Sequence, residues 1–218
     1  MKIQWLGHSM FRITTSSGVR IVIDPYQPGG FSGALGYGAY KEPAEVVLMS
    51  HDHADHGYSK GIAGNPILLK GPGKFVAAGI EFQGVDTFHD RSKGAERGRN
   101  TVFCFSADGV KVCHLGDLGH VLTNEQAAMI GAVDVLLTPV GGTYSIGPDE
   151  ASKVMEQLSA KIVIPMHFKT SKIAFPIEPV ESFLEGKPNV ERLDSSEIEI
   201  SADEIGSGQR IIVLQHAL

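Results

Sequence analysis

Four side chains able to ligate a transition metal fall within six consecutive positions: His51, His53, Asp55 and His56 of His51-Asp52-His53-Ala54-Asp55-His56. Imidazole nitrogen and carboxylate oxygen are ligands of first-row transition ions. The cluster directly follows Val46-Val47-Leu48-Met49, an apolar run of the buried-strand kind. A strand that ends there delivers its ligands to one edge of a sheet. Side-chain direction repeats every two residues in extended backbone, so His51 and His53 can share one ion. Asp55 and His56 lie past the turn and can face a second. The competing reading is a polar loop rich in histidine by chance, and three imidazoles in six positions after a buried strand argue against it.

Two adjacent ions need roughly six or seven protein ligands plus water. The remaining ligands should therefore sit at other strand ends. Three residues qualify: His89 after the run 80–88, Asp117 in His114-Leu115-Gly116-Asp117, and His167 in Ile164-Pro165-Met166-His167. Each match alone is weak, since a lone strand-end histidine is more often a surface or supporting residue. His114 is the nearest rival of His89, and its place three residues before Asp117 marks it as a support for the site.

The elements that must carry these residues follow from apolar periodicity. Strands are predicted over Lys2–Leu6, Phe11–Thr15, Val19–Asp24, Val46–Ser50, Pro66–Leu69 and Ile80–Phe88. A hairpin of Thr101–Ser106 and Val110–His114 turns at Asp108-Gly109. Helices are predicted over Asn124–Ile130, with Thr123 as N-cap, over Pro148–Leu158, and over Pro179–Leu184. Strands Val133–Pro139 and Lys161–Met166 alternate with them, and Glu197–Ile200 and Arg210–Gln215 close the chain. Strands first, then strands alternating with helices, suit an α/β fold of two sheets packed face to face. No linker divides the 218 residues, so one domain over 1–218 is expected.

Composition narrows the function. Hydrophobic residues make up 42% and charged residues 20%, as in a folded globular protein. The net charge of −6 argues against broad attraction to nucleic acid. No apolar signal-peptide core or membrane-length run is present, so the cytoplasm is the expected compartment. The two cysteines, Cys104 and Cys113, flank the hairpin turn and should face each other. A non-hydrogen-bonded pair there has a Cα separation of about 4.5 Å, within disulfide range. Reduced thiols are the favoured state, since cytosolic disulfides are uncommon.

His51-x-His53-x-Asp55-His56 is the H-x-H-x-D-H signature of the metallo-β-lactamase superfamily, and the chain resembles that superfamily from end to end. Gly7-His8-Ser9, Asp24-Pro25, Arg97-Gly98-Arg99-Asn100-Thr101, His114-Leu115-Gly116-Asp117 and Pro165-Met166-His167 resemble its small single-domain branch of metal-dependent hydrolases. The resemblance implies a four-layer αββα sandwich. It also implies a ligand set: His51, His53 and His89 for one ion, Asp55, His56 and His167 for the other, and Asp117 bridging. Two divalent ions, zinc first with manganese or iron as alternatives, would hold a bridging hydroxide that attacks a carbonyl carbon or a phosphorus.

On this reading Asp55 orients the nucleophile or takes its proton. His8 and His120 are the candidates for protonating the leaving group, with a supporting role as the alternative for both. Residues 90–100 hold Arg91, Arg97 and Arg99 beside His89, a basic cluster suited to an anionic small-molecule substrate, or else a solvated, internally paired loop. Residues 27–40, with five glycines and three aromatics, read equally as a mobile flap or as a connection packed on the surface. The leading function is hydrolysis of a small ester, lactone or phosphodiester. A nuclease-like phosphodiesterase and a non-catalytic metal-binding module are the alternatives.

Overall fold

The computed structural model describes residues 1–206 and 208–218. The strands of the N-terminal half are β1 (Lys2–Gly7), β2 (Met10–Thr14), β3 (Arg20–Ile23), β4 (Val46–Met49), β5 (Ile67–Lys70), β6 (Gly73–Ala77), β7 (Ile80–Phe88), β8 (Arg99–Ala107) and β9 (Val110–His114). Then follow α1 (Asn124–Ile130), β10 (Val135–Pro139), α2 (Pro148–Gln157), β11 (Ile162–Met166), α3 (Val180–Leu184), β12 (Val190–Arg192), β13 (Glu197–Glu199) and β14 (Arg210–Val213). Six strands pair in the order β13-β1-β2-β3-β4-β5, and eight in the order β12-β14-β11-β10-β9-β8-β7-β6.

Strand alternation divides the apolar residues between two cores. In β4, Val46 and Leu48 face the large core between the sheets, while Val47 and Met49 face a smaller one outside. In β3, Ile21 and Ile23 face inward and Val22 outward. This is the period of two expected for a sheet buried on both faces. Helices α1 and α2 contact β7 and β10 of the eight-stranded sheet and bury Ile130, Ala151 and Val154. Thr123 caps α1 as expected, accepting from the Gln126 amide while the Gln126 side chain returns to the Thr123 N–H.

The outer layer over the six-stranded sheet contains no α-helix among the described residues. Leu35, Tyr37 and Tyr40 of the glycine-rich stretch cover it, with Ile173 and Ile177. That stretch is therefore a connection anchored through a few buried side chains and pinned by the Leu35↔Ile173 bridge, with much of its backbone exposed. Phe31 is the exception and stays 49% exposed. Strands β6 and β12 were not expected from sequence. Both are edge strands, and β6 begins at Gly73 directly after Pro72, where turn chemistry masks the strand pattern. Cys104 and Cys113 pair in register across β8 and β9, as free thiols with Sγ atoms 3.2 Å apart.

Candidate metal centre

The ends of β1, β3, β4, β7, β9 and β11 converge on one rim of the sandwich. The parallel register of β3 with β4, and of β9, β10 and β11, brings Asp24, His51, Asp117 and His167 out on the same side. His51, His53 and His89 place one ligand atom each within 4.8 Å of one another. His8, Asp55, His56 and His167 do the same, and so do His51, His56 and Asp117. All seven residues named as ligands from sequence are thus brought together, with His8 added. His51 Nε2 and His53 Nδ1 lie 3.1 Å apart, close to the separation of about 3.3 Å that a tetrahedral ion imposes on two nitrogen ligands.

Unsatisfied atoms test whether a cation fits. Asp55 Oδ1 and Asp117 Oδ1 are buried with no hydrogen-bond partner among the described residues. A buried polar group left unpaired costs about 1–3 kcal/mol, and two carboxylate oxygens in one cluster, neither able to donate, need a shared cation. Carboxylate oxygens accept and imidazole supplies lone pairs, so the donor set suits divalent cations and no neutral organic group.

Several residues hold the ligands in place. Asp24, fully buried at the end of β3, accepts from Ser50 N (2.7 Å), from Ser50 Oγ (2.6 Å) and from His56 Nδ1 (2.8 Å). This turns the other His56 nitrogen toward the centre, the carboxylate–histidine arrangement that supports metal ligands. Ser50 Oγ also accepts from His51 Nδ1 at 2.9 Å, which orients that ring in the same way. Burial raises the Asp24 pKa, but His56, His114 and His51 outweigh it and keep the carboxylate ionised.

Asn100 sets Asp117. Its Oδ1 accepts from Asp117 N at 3.0 Å, while its Nδ2 donates to Thr87 Oγ1 and to Leu115 O. Gly116 permits this contact. Its φ is +58°, and a Cβ there would lie 2.3 Å from Asn100 Oδ1 and 2.5 Å from Ser50 Cβ. His114 donates from Nε2 to Ser9 O and accepts the Gly116 N–H at Nδ1, so it supports the rim and ligates nothing. Asp24 and Asn100 were given no role from sequence. Asp24 follows the apolar strand β3 and Asn100 lies at the start of β8, and each was signalled only by its place in a motif that carries the resemblance.

Electrostatics follow from burial. His8 is pushed down to about 4 by desolvation and then by His167, against the pull of Asp55. His51 is pushed down to about 3 by desolvation and then by His56. Burial also lowers His89 and His114. For His56 burial acts downward, but Asp117, Asp55 and Asp24 outweigh it and raise the ring well above 6.5. Asp117 is held far below 3.8 against its own burial by His167 and His56. Without metal, one imidazolium thus sits among ionised carboxylates, and the other rings whose shift is resolved offer lone pairs.

The remaining expectations separate. His120 accepts the Phe88 N–H at Nε2 (3.2 Å) and donates to Val121 O at Nδ1 (2.8 Å), so its ring is bound to backbone on both sides and has no proton to give. Of the two roles expected for His120, acid or support, these contacts favour support. His8 is fully buried with Nε2 3.2 Å from Asp55 Oδ2, behind the carboxylate and outside the cavity lining. That contact favours a role in holding Asp55 over one as the acid. Of the three arginines, Arg91 pairs with Glu150 and Arg99 with Asp86 (2.6 Å), both projecting into solvent. Only Arg97 lines the cavity above the centre.

Residues 2–167 match the family model described as beta-lactamase superfamily domain. A UPF0173 metal-dependent hydrolase of Geobacillus thermodenitrificans is 30% identical over 198 residues, covering 78% of this chain and 86% of the relative. One from Methanoculleus marisnigri is 31% identical, covering 78% and 82%. The crystal structure of a metallo-β-lactamase superfamily protein from Thermotoga maritima superposes with a TM-score of 0.81 at 40% identity, covering 98% of this chain and 97% of that one. With the sandwich and its histidine–aspartate rim, these likenesses place the chain in the metallo-β-lactamase superfamily, among the UPF0173 metal-dependent hydrolases.

Proposed function

We propose that the chain is a dinuclear metal-dependent hydrolase acting on a small ester, lactone or phosphodiester. His51, His53 and His89 would hold one ion, Asp55, His56 and His167 the other, and Asp117 would serve both. A single atom carries this reading. Asp117 Oδ2 lies 3.1 Å from His56 Nε2, 3.3 Å from His89 Nε2 and 3.4 Å from His167 Nε2, so it faces imidazoles of both sets. Zinc is the first choice for this imidazole and carboxylate set, with manganese or iron as alternatives. Two divalent cations held there would supply an activated water near neutral pH and a counter-charge for a developing oxyanion.

The chain's own residues handle the proton. Asp55 lines the cavity, its Oδ2 engaged by His8 and its Oδ1 open. With Oδ1 given to the ion, the second lone pair of Asp55 Oδ2, beside the His8 contact, would take the proton of the attacking water and return it to the leaving group. His8 fixes the carboxylate in that orientation. The test is a panel of an activated phosphodiester, an activated ester and a lactone, offered to metal-loaded protein with Asp117→Asn as blank. Turnover above the blank on one member is expected. Silence on all three from protein that holds two ions per chain would overturn the reading.

A further inference from the structure

A cavity of about 260 Å³ opens over the metal centre, bounded by His53, Asp55, His89, Asp117 and His167 below. Its remaining walls are Phe31, Tyr144, Phe175 and Arg97. The three rings form a connected set. Phe31 meets Phe175 edge-on at 5.3 Å, and Tyr144 meets Phe175 edge-on at 5.9 Å. They come from three loops tied to each other. Ala174 N donates to Ala34 O, and Thr143 Oγ1 donates to Pro176 O. Phe31 and the next residue, Ser32, both have positive φ (53° and 56°). That conformation is unfavourable for a bulky side chain, and strain of this kind collects at ligand-binding positions.

Arg97 is the charged part of the wall. Its guanidinium lies 5.7 Å above the Tyr144 ring, which orients the planar fork. Its backbone N–H is fixed by Asp90 Oδ2 at 2.8 Å. Asp90 also accepts from Ser92, Gly94 and Glu96 N–H, so the whole 90–97 turn is wound around one buried carboxylate. Arg91 and Arg99 are closely paired with carboxylates, whereas the ion pair of Arg97 with Glu96 Oε2 is loose, 3.7 Å long and made to a mostly exposed side chain. The fork of Arg97 thus keeps its donors for something entering the cavity.

We propose that the cavity takes a substrate combining a flat apolar group with one anionic group, a carboxylate or a phosphate, on a molecule of on the order of ten heavy atoms, given the ~30 Å³ that each liquid water occupies. Phe31, Tyr144 and Phe175 enclose the apolar group, and Arg97 binds the anion in a charge-assisted, two-pronged contact. The inference rests on the hydrolase reading only for where the scissile bond lies. Recognition itself is read by binding.

The experiment uses metal-loaded protein and unreactive probes in titration calorimetry: phenylacetate, phenylphosphonate, benzyl alcohol, acetate and inorganic phosphate. Phenylacetate or phenylphosphonate should bind about tenfold or more tightly than benzyl alcohol, and more tightly than acetate or phosphate. The better of the two aryl anions identifies the anionic group. Arg97→Gln should remove most of that preference and leave benzyl alcohol binding unchanged. Phe175→Leu should weaken all three aryl probes, and Arg99→Gln should change nothing. An undiminished anion preference in Arg97→Gln would mean that the metals alone hold the anion and would overturn the proposal. Binding of both aryl anions no tighter than that of benzyl alcohol, or no aryl binding at all, would overturn it too. Selective binding without turnover on any hydrolase substrate would instead count against the hydrolase reading and leave this inference standing.

Discussion

At the scale of single residues, the candidate ligands depend on side chains that orient them. Asp24 fixes His56 from behind, and removal of such a support usually lowers metal affinity by about ten- to a hundredfold. Asp24→Asn should show that loss in a zinc competition titration while the far-UV spectrum stays unchanged. The buried rings also set a pH dependence for the metal-free chain. His8 and His51 titrate at about 4 and about 3 when folded, against 6.5 when unfolded. The unfolded state therefore binds more protons below 6.5, and the stability these rings contribute is complete above 6.5 and lost as pH falls. His56 has the opposite sign: its raised pKa gives a contribution complete below 6.5 and lost as pH rises through the folded value. The melting temperature of metal-stripped protein should fall from pH 7 to pH 5. In His8→Asn, whose side chain suits the φ of +52°, that slope should be shallower; an unchanged slope would remove His8 from the account. Much of the cluster was legible in sequence because ligands at i, i+2, i+4 and i+5 after a buried strand leave a spacing. Asp24 and Asn100 were not, because one polar side chain has no spacing. The two roles open for His120, acid and support, could not be separated because sequence does not show that backbone groups occupy both ring nitrogens.

At the scale of elements, strand ends do the positioning, and their packing should be measurable. Leu48 is fully buried in the strand that delivers the histidine cluster. Leu48→Ala should destabilise the protein by about 2–5 kcal/mol, read as a lowered denaturant midpoint. Gly116→Ala forces a Cβ into Asn100 and Ser50 at the turn that presents Asp117. Overpacking of this kind costs about 1–3 kcal/mol, and because Asp117 moves with the turn, bound metal should fall as well. A destabilised variant that keeps its full metal complement would show that the Asn100 contact does not place Asp117. Most strands were readable as β-branched and aromatic runs between turn residues. Strands β6 and β12 escaped because edge strands of three to five residues, one beginning with glycine, carry little alternation. The basic run 90–100 also could not be resolved from sequence, since which of its arginines stays without a close carboxylate depends on Glu150 and Asp86 arriving from distant elements.

At the scale of the whole molecule, two sheets carry ligands from their strand ends to one rim, so metal and fold are linked. A ligand at a hundred times its dissociation constant adds about 2.7 kcal/mol to stability, and chelation should lower the melting temperature correspondingly. The face-to-face arrangement was legible from the order of strands and helices. The non-helical cover on the six-stranded sheet was not, because whether a glycine-rich stretch packs depends on the surface it meets. The central claim is a two-ion centre joined by Asp117, and the most direct measurement is metal content per chain after zinc loading and gel filtration, for the native protein and Asp117→Asn. Two ions per chain in the native protein, and one or fewer in the variant, are expected. One ion in both, or two in both, would contradict the account.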